Sequence, residues 1–161
     1  MKTIICLLAT TLIMVSCGKH ETKVTLNKLG KKIYEASYKS GKLDGKSTRW
    51  NGAGKLVEEN YYTNGVCDSS IMYMDTVVVK TIHSAENCTS NTYVNGKLSY
   101  SYYAAKGECD KNGIVYINTD YKNGKKIKQY IHYCSHHPKV KIVAWAGNES
   151  TERELGTGWQ E

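Results

Sequence analysis

The sequence of 161 residues contains no phenylalanine and a single proline, and its hydrophobic stretches are short. Beyond a segment at its start, no run approaches the about 20 apolar residues that a membrane-spanning helix needs. The chain also lacks Gly-x-Ser-x-Gly, His-Glu-x-x-His and a phosphate-binding glycine loop. Its carboxylates are scattered over turns without a pair suited to acid–base catalysis. We therefore predict that the protein is not an enzyme and holds no cofactor.

Tyrosine and glycine are plentiful instead, with 13 Tyr and 14 Gly, and they recur together. The motif Tyr-x-(Asn/Ser)-Gly begins at Tyr38, Tyr62, Tyr93 and Tyr121. Asn-Gly and Ser-Gly accept positive φ at both centres of a tight hairpin turn. A motif that returns every few dozen residues is typical of a repeat architecture. The sequence predicts an all-β fold, an antiparallel meander of short hairpin repeats forming an elongated, curved sheet.

The best copy of this motif, YKSGKLDGKSTRWNGAGKLVEENYYTNG within residues 34–66, resembles the bacterial variant of the MORN repeat. The similarity is partial at 93–98 and 121–125, where the glycine expected after Lys-Leu is missing or the spacing changes. The resemblance implies a meandering antiparallel sheet used for binding. Some members of that family are described as antitoxin-like, and the resemblance implies no catalytic residues.

Other segments lead to more local expectations. We predict a first hairpin from residues 23–28 and 31–38. The clearest hairpin signal covers 113–121 and 125–133, and a last strand is predicted over 139–145. The apolar segment 71–80 is predicted to be one central strand, because β-branched residues favour strands. Residues 83–90 read as a polar loop that interrupts the repeat, and 148–155 leave room for a short C-terminal helix.

The N-terminus has the features of an export signal. Lys2 precedes an apolar run of about a dozen residues, a length typical of signal peptides. The run ends in Met14-Val15-Ser16-Cys17, which resembles a bacterial lipobox. We predict a signal peptide over 1–16, a lipidated tether over 17–22 with the lipid on Cys17, and one β domain over 23–161. Gly18 favours the outer membrane by analogy with such lipoproteins, facing the periplasm or the cell surface. The alternative is an ordinary secretory signal with a coincidental cysteine.

Charge and compartment limit the partners. The formal net charge is +7, and the lysines lie beside turns without forming one block. Nucleic acid is not expected as a partner outside the cytoplasm. A positive field speeds encounter with an anionic membrane or an acidic protein surface, whereas lysines also keep exposed strands from pairing with other sheets.

Four cysteines remain in the predicted domain: Cys67, Cys88, Cys109 and Cys134. An even number in an exported protein predicts two disulfides, and four cysteines allow three connectivities. We favour Cys67–Cys88 with Cys109–Cys134, because sequential hairpins bring near neighbours together. His132, Cys134 and His136 alternate and form a weaker alternative, a metal site on one strand face.

The aromatic residues give the remaining functional hypothesis. Tyrosines can be rungs of a half-buried sheet or, with Trp, anchors of a recognition surface. For the second case we predict Trp50 and Tyr62 as binding residues, flanked by Lys42 and Lys55. The predicted function is an exported, membrane-anchored lipoprotein that binds another protein, such as a toxin that it neutralises. The alternative is a structural envelope lipoprotein that binds peptidoglycan, glycan or another envelope component.

Overall fold

A computed structural model describes residues 19–134 and 139–156 of the chain. Twelve strands follow one another as β1 His20–Leu26, β2 Lys32–Lys39, β3 Lys42–Trp50, β4 Leu56–Thr63, β5 Val66–Met74, β6 Val77–His83, β7 Asn87–Val94, β8 Lys97–Ala105, β9 Ile114–Lys122, β10 Lys125–Tyr133, β11 Lys139–Ala146 and β12 Glu149–Gly156. They form a single sheet in chain order, each strand antiparallel to the next. The predicted all-β meander is confirmed. The described residues contain no helix able to cross a membrane.

The repeated tyrosine motifs end in the tight turns that the sequence predicts. Asn64 and Gly65 have φ values of 52° and 88°, and Asn95 and Gly96 have 49° and 74°. Positive φ at both central positions is the backbone of the turn that best fits the right-handed twist of a hairpin. Each motif therefore closes one strand and reverses the chain into the next.

The turns fall at two opposite ends of the sheet. End A carries the turns after β1, β3, β5, β7, β9 and β11, and end B carries those after the even-numbered strands. The motif turns at Gly41 and Gly65 lie at end B, whereas those at Gly96 and Gly124 lie at end A. Two strands separate the first and second motifs, but three strands, β5 to β7, separate the second and third. This extra strand, rather than a loop, explains the longest interval of the repeat.

Two expectations near the extra strand are wrong. Segment 71–80 is not one strand, because Asp75, with a φ of 48°, turns the chain between β5 and β6. Residues 83–90 are not a polar loop, because only 84–86 connect β6 to β7. The Ser84 hydroxyl accepts hydrogen bonds from the amides of Glu86 and Asn87 at 3.2 and 2.9 Å, which makes this short turn possible.

The two termini of the described domain also differ from expectation. The first strand already begins at His20, so the predicted tether over 17–22 overlaps the sheet. At the other terminus 148–155 do not form a helix: β12 pairs with β11 in continuous register through a turn at Gly147. Strand pairing satisfies the backbone groups along the whole segment, which outweighs the local helix-capping signal. The predicted signal peptide over 1–16 and Cys17 lie outside the described residues.

The sheet is a single layer with two faces. Face 1 carries the row Lys23, Ala36, Ser47, Asn60, Ser70, Thr81, Ser90, Tyr102, Asn118, Tyr130, Ile142 and Arg153, and face 2 carries the neighbouring row Val24, Glu35, Thr48, Glu59, Ile71, Lys80, Asn91, Ser101, Thr119, Gln129, Val143 and Glu152.

Burial is confined to a few positions of the described chain, namely Ala36, Ser47, Thr48, Thr119, Cys134 and Val143. Most of them are small residues of the two middle rows, where the longer side chains of neighbouring rows cover them. The Tyr62 hydroxyl, for example, hydrogen-bonds to the side chain of Ser47. Cross-strand side-chain pairs therefore stabilise this sheet in place of a second layer.

Candidate functional site

The four predicted binding residues do not form one surface. Trp50 and Lys55 lie at end A, beside the turn between β3 and β4, whereas Lys42 and Tyr62 lie at end B. Burial raises the pKa of Tyr62, whose ring is half-buried over the middle of face 1. Tyr62 therefore packs against the sheet as a structural residue, and Lys42 is an exposed residue at the start of β3.

Trp50 and Lys55 belong instead to a group of residues at end A. The ammonium of Lys32 lies 5.6 Å from the centre of the Trp50 ring, within the range of a cation–π contact. Lys55 Nζ lies 2.7 Å from Asp75 Oδ1, so this ion pair connects two successive turns of end A. The hydrogen bond from Lys55, together with its charge, lowers the pKa of the Asp75 carboxyl. Both groups are largely exposed, so the pair adds little stability.

Exposed apolar side chains lie next to these turns on face 1. Met74, Val77 and Val94 lie opposite one another on β5, β6 and β7, and Met72 and Val79 form the next row. The exposed fractions are 43% for Met72, 49% for Met74 and 37% for Val94. We name these five residues the Met/Val patch. It lies on β5, β6 and β7, the three strands that separate the second motif turn from the third.

Lysines surround this patch along end A. The lysines of end A are Lys28, Lys31, Lys32, Lys55, Lys97, Lys122 and Lys125, and its acidic residues are Asp75 and Glu149. Lys97 lies directly opposite Val94, in the same row as the patch. End B is different, because Lys19, Lys39, Lys42, Lys106 and Lys111 are mixed there with Asp44, Asp68, Glu86, Glu108 and Asp110.

A shallow groove of about 360 Å³ separates two turns of end A. It is lined by Val94, Lys97, Leu98, Tyr121 and Lys122, together with neighbouring turn residues. Neither lysine has an ion pair or hydrogen bond within the described part of the chain. The groove therefore combines two available cations with apolar surface that continues into the Met/Val patch.

A larger cleft, of about 750 Å³, lies at end B beside the long connection between β8 and β9. Its polar groups bind one another. The Tyr103 hydroxyl donates to Asp110 Oδ2 at 2.9 Å, and the other oxygen of Asp110 accepts the amides of Asn112 and Ile114 at 2.8 and 2.9 Å. These bonds lower the pKa of Asp110 and organise the loop. The cleft is thus occupied by loop-forming interactions.

The predicted Cys67–Cys88 pair does not meet in this fold. Cys67 lies on β5 and Cys88 on β7, with β6 between them. Two strand spacings place the Cα atoms about 10 Å apart, beyond the roughly 7 Å that a disulfide can bridge. Sequential hairpins bring neighbouring strands together, and the extra strand breaks this simple rule here.

The structure does bring Cys109 and Cys134 together. Cys109 lies in the connection between β8 and β9, and Cys134 directly follows β10. A hydrogen bond between their thiols, with burial and nearby carboxylates, raises the pKa of Cys109 to about 11. Both are thiols in this arrangement, and their contact is compatible with the predicted disulfide.

The alternative metal site gains no support from the residues that are described. His136 lies outside them, and His132 stacks on Tyr116 with ring centroids 3.9 Å apart. Burial lowers the pKa of His132. No group of three potential ligands occurs within the described residues, and the Cys134 thiol has Cys109 as its neighbour.

Comparisons with protein-family models, curated proteins and solved structures yield no match to this chain. The resemblance to MORN repeats stays a prediction that rests on the motif residues. The site at end A is thus defined by its own geometry.

The sequence interpretation missed the Met/Val patch and Lys97. Segment 71–80 is predicted to be one central strand, although Met74-Asp75-Thr76-Val77 contains a turn signal at Asp75. The alternation of Met72, Met74 and Val77 around that turn would have indicated one shared face.

Proposed function

We propose that the protein is an exported lipoprotein, anchored through Cys17, that binds another protein through its repeat β-sheet as an immunity or antitoxin-type factor. The observation that supports binding is the Met/Val patch. Exposed apolar residues normally gather into such patches at interaction sites, whereas scattered single residues are common on any surface. Methionine is also suited to binding surfaces, because its flexible side chain adapts to different partner shapes.

The surroundings of the patch favour a protein as the partner. Protein interfaces commonly consist of an apolar centre with a polar, charged rim. Here Met72 and Met74 form the centre, while Lys97 and the Glu58–Arg49 ion pair, 2.6 Å between Oε2 and Nη2, lie at its borders. The two faces of a single-layer sheet are both accessible, so a partner can cover the patch without any rearrangement of a second layer.

Site-specific photo-crosslinking tests this proposal. A benzophenone amino acid replaces Met74 in one chain and Ile82 in a matched control, and both are expressed in cells that export the protein. Ile82 is 57% exposed but lies on face 2. We expect a discrete protein adduct from position 74, lost when Met72→Asp is added, and none of the same mass from position 82. Equal adducts at both positions, or none at position 74, would contradict the proposal.

The adduct also tests the immunity version of the function. Mass spectrometry identifies the captured protein, and its purified form is then titrated against the wild-type chain and Met72→Asp. If the captured protein is a secreted toxin, export of the wild-type chain protects cells from it, and Met72→Asp protects them less. An envelope component captured instead would support the structural alternative.

A further inference from the structure

We infer that the partner presents an acidic protein segment to end A, with a carboxylate placed in the groove between Lys97 and Lys122. This inference rests on the proposed function and names the chemistry of the partner. It depends on where charge lies in the fold rather than on net charge, because the sequence distributes its lysines over many turns.

The first observation is the difference between the two ends of the sheet. The lysines of end A outnumber its two acidic residues, Asp75 and Glu149, whereas the lysines named at end B are matched by as many acidic residues. Within the described residues, Lys97, Lys122 and Lys125 have no ion pair that would neutralise them. Turns on the same end are two strand spacings apart, about 10 Å, which is close to the Debye length at 0.1 M salt. Neighbouring cations therefore add their fields along this end and attract an acidic surface.

The second observation is the local cost of this arrangement. Lys122 and Lys125 lie directly opposite each other across the turn between β9 and β10. Lys39 and Lys42 form the same kind of pair at end B, but the pair at end A adjoins the groove, which Lys122 lines. Like charges in opposite cross-strand positions destabilise a hairpin. A carboxylate from a partner in the adjoining groove relieves this repulsion and forms charge-assisted hydrogen bonds with the ammonium groups.

The third observation selects a protein segment over a simple polyanion. The groove is continuous through Val94 with the Met/Val patch, so one occupant contacts cations and apolar groups together. Alternating acidic and apolar side chains of a polypeptide match that combination. An anionic membrane or glycan would use the lysines without requiring Met72 and Met74.

A peptide-binding experiment with charge-reversed variants tests the inference. The probe is a short fluorescent peptide in which Glu and Leu alternate, and its control has Gln in place of Glu. Binding to the full mature chain is measured by anisotropy at roughly 0.05 M and 0.5 M salt, where the Debye length falls from about 14 to 4 Å. The matched control for Lys97→Glu/Lys122→Glu is Lys39→Glu/Lys42→Glu, which changes net charge equally at end B, where these two lysines also lie opposite each other.

We expect the wild-type chain to bind the Glu peptide at low salt and to prefer it over the Gln peptide. Reversal of Lys97 and Lys122 should weaken binding at least about tenfold, whereas the end B variant should change it less than about twofold. Equal effects of the two double variants, or equal binding of the two peptides, would overturn the inference. Binding of phosphatidylglycerol vesicles would also overturn the inference if Lys97→Glu/Lys122→Glu weakens it and Met72→Asp does not, because that result assigns end A to a membrane surface.

The two proposals fail in different ways. A crosslink from position 74 that persists in Lys97→Glu/Lys122→Glu, with unchanged affinity for the captured protein, leaves protein binding intact but rejects the acidic segment. If the chain that carries only the benzophenone at position 74 forms no protein adduct, the proposed function is rejected, whatever affinity the chain has for the Glu peptide.

Discussion

Glu59 is the best place to test how a single-layer sheet gains its stability. Its carboxylate on face 2 accepts the Lys46 ammonium and the Tyr73 hydroxyl, the latter at 3.0 Å. The Glu59 side chain is only 13% exposed, although that of Lys46 is 46% exposed. The hydrogen bond from Lys46 is the largest cause of the lowered pKa of Glu59, and the bond from Tyr73 adds to it while burial opposes it.

We expect Glu59→Gln to destabilise the fold by about 1.5 kcal/mol at pH 7. Net hydrogen bonds to a charged group contribute about 1.5–3 kcal/mol, but glutamine still accepts one bond from Tyr73. The exposed ammonium of Lys46 contributes at most about 1 kcal/mol. With a urea slope of about 2 kcal/mol/M, the unfolding midpoint should fall by roughly 0.7 M.

The pH dependence has a definite sign. Because the folded pKa of Glu59 is lowered, its stabilisation is complete above the ordinary carboxyl pKa of about 4.3 and is lost as the pH falls through the folded value. The difference between wild type and Glu59→Gln should therefore shrink on acidification below about pH 4. Urea unfolding followed by tyrosine and tryptophan fluorescence at neutral and acidic pH measures both quantities.

The neighbouring Glu58 supplies the control. It lies on face 1 and pairs with Arg49, whose side chain is 57% exposed, without a tyrosine partner. Glu58→Gln should cost less than about half as much as Glu59→Gln. Equal costs, or a Glu59→Gln effect that is unchanged in acid, would refute the claim that the Lys46–Glu59–Tyr73 network is a specific stabilising unit of face 2.

Three further predictions concern the turns, the cysteines and the anchor. Gly65→Ala should lower the free energy of unfolding, measured in urea, by about 1 kcal/mol, because Gly65 has a φ of 88°. Gly52 does not have a positive φ, so Gly52→Ala should be near neutral. Equal effects of the two substitutions would contradict the assigned turn. Exported protein that is alkylated without reduction should contain a Cys109–Cys134 disulfide by peptide mass mapping, and labelling of both thiols would disprove it. Cys17→Ser should abolish partitioning with membranes, and unchanged partitioning would place the anchor elsewhere.

Local sequence was sufficient where local chemistry decides the conformation. Positive φ at Asn64-Gly65 and at its counterparts depends only on the residues in the turn, and these turns are found where expected. The hairpin of β9 and β10 was predicted for the same reason. The alternation of side chains then sets which residues share a face once each strand has been located.

Pairing along whole strands was beyond those local signals. Segment 148–155 carries a helix-capping pattern, but a free partner strand, β11, provides backbone hydrogen bonds along its length. The turn at Asp75 has a local signal, but the strand that follows it, β6, is held by pairing with both β5 and β7, and this strand separates Cys67 from Cys88. Such competition is settled by the free energy of the whole sheet rather than by the propensity of one segment.

A meander of hairpins closed by Asn-Gly and Ser-Gly turns follows from the amino acids alone, because these turns need only their own residues. Strand pairing in the folded sheet, in contrast, places Trp50 and Tyr62 at opposite ends and brings Met72, Met74 and Val94 together on one face. Both outcomes follow from the number of strands between these residues. One added strand moves every later turn to the other end of the sheet, and that strand forms because its backbone pairs with a strand on each side.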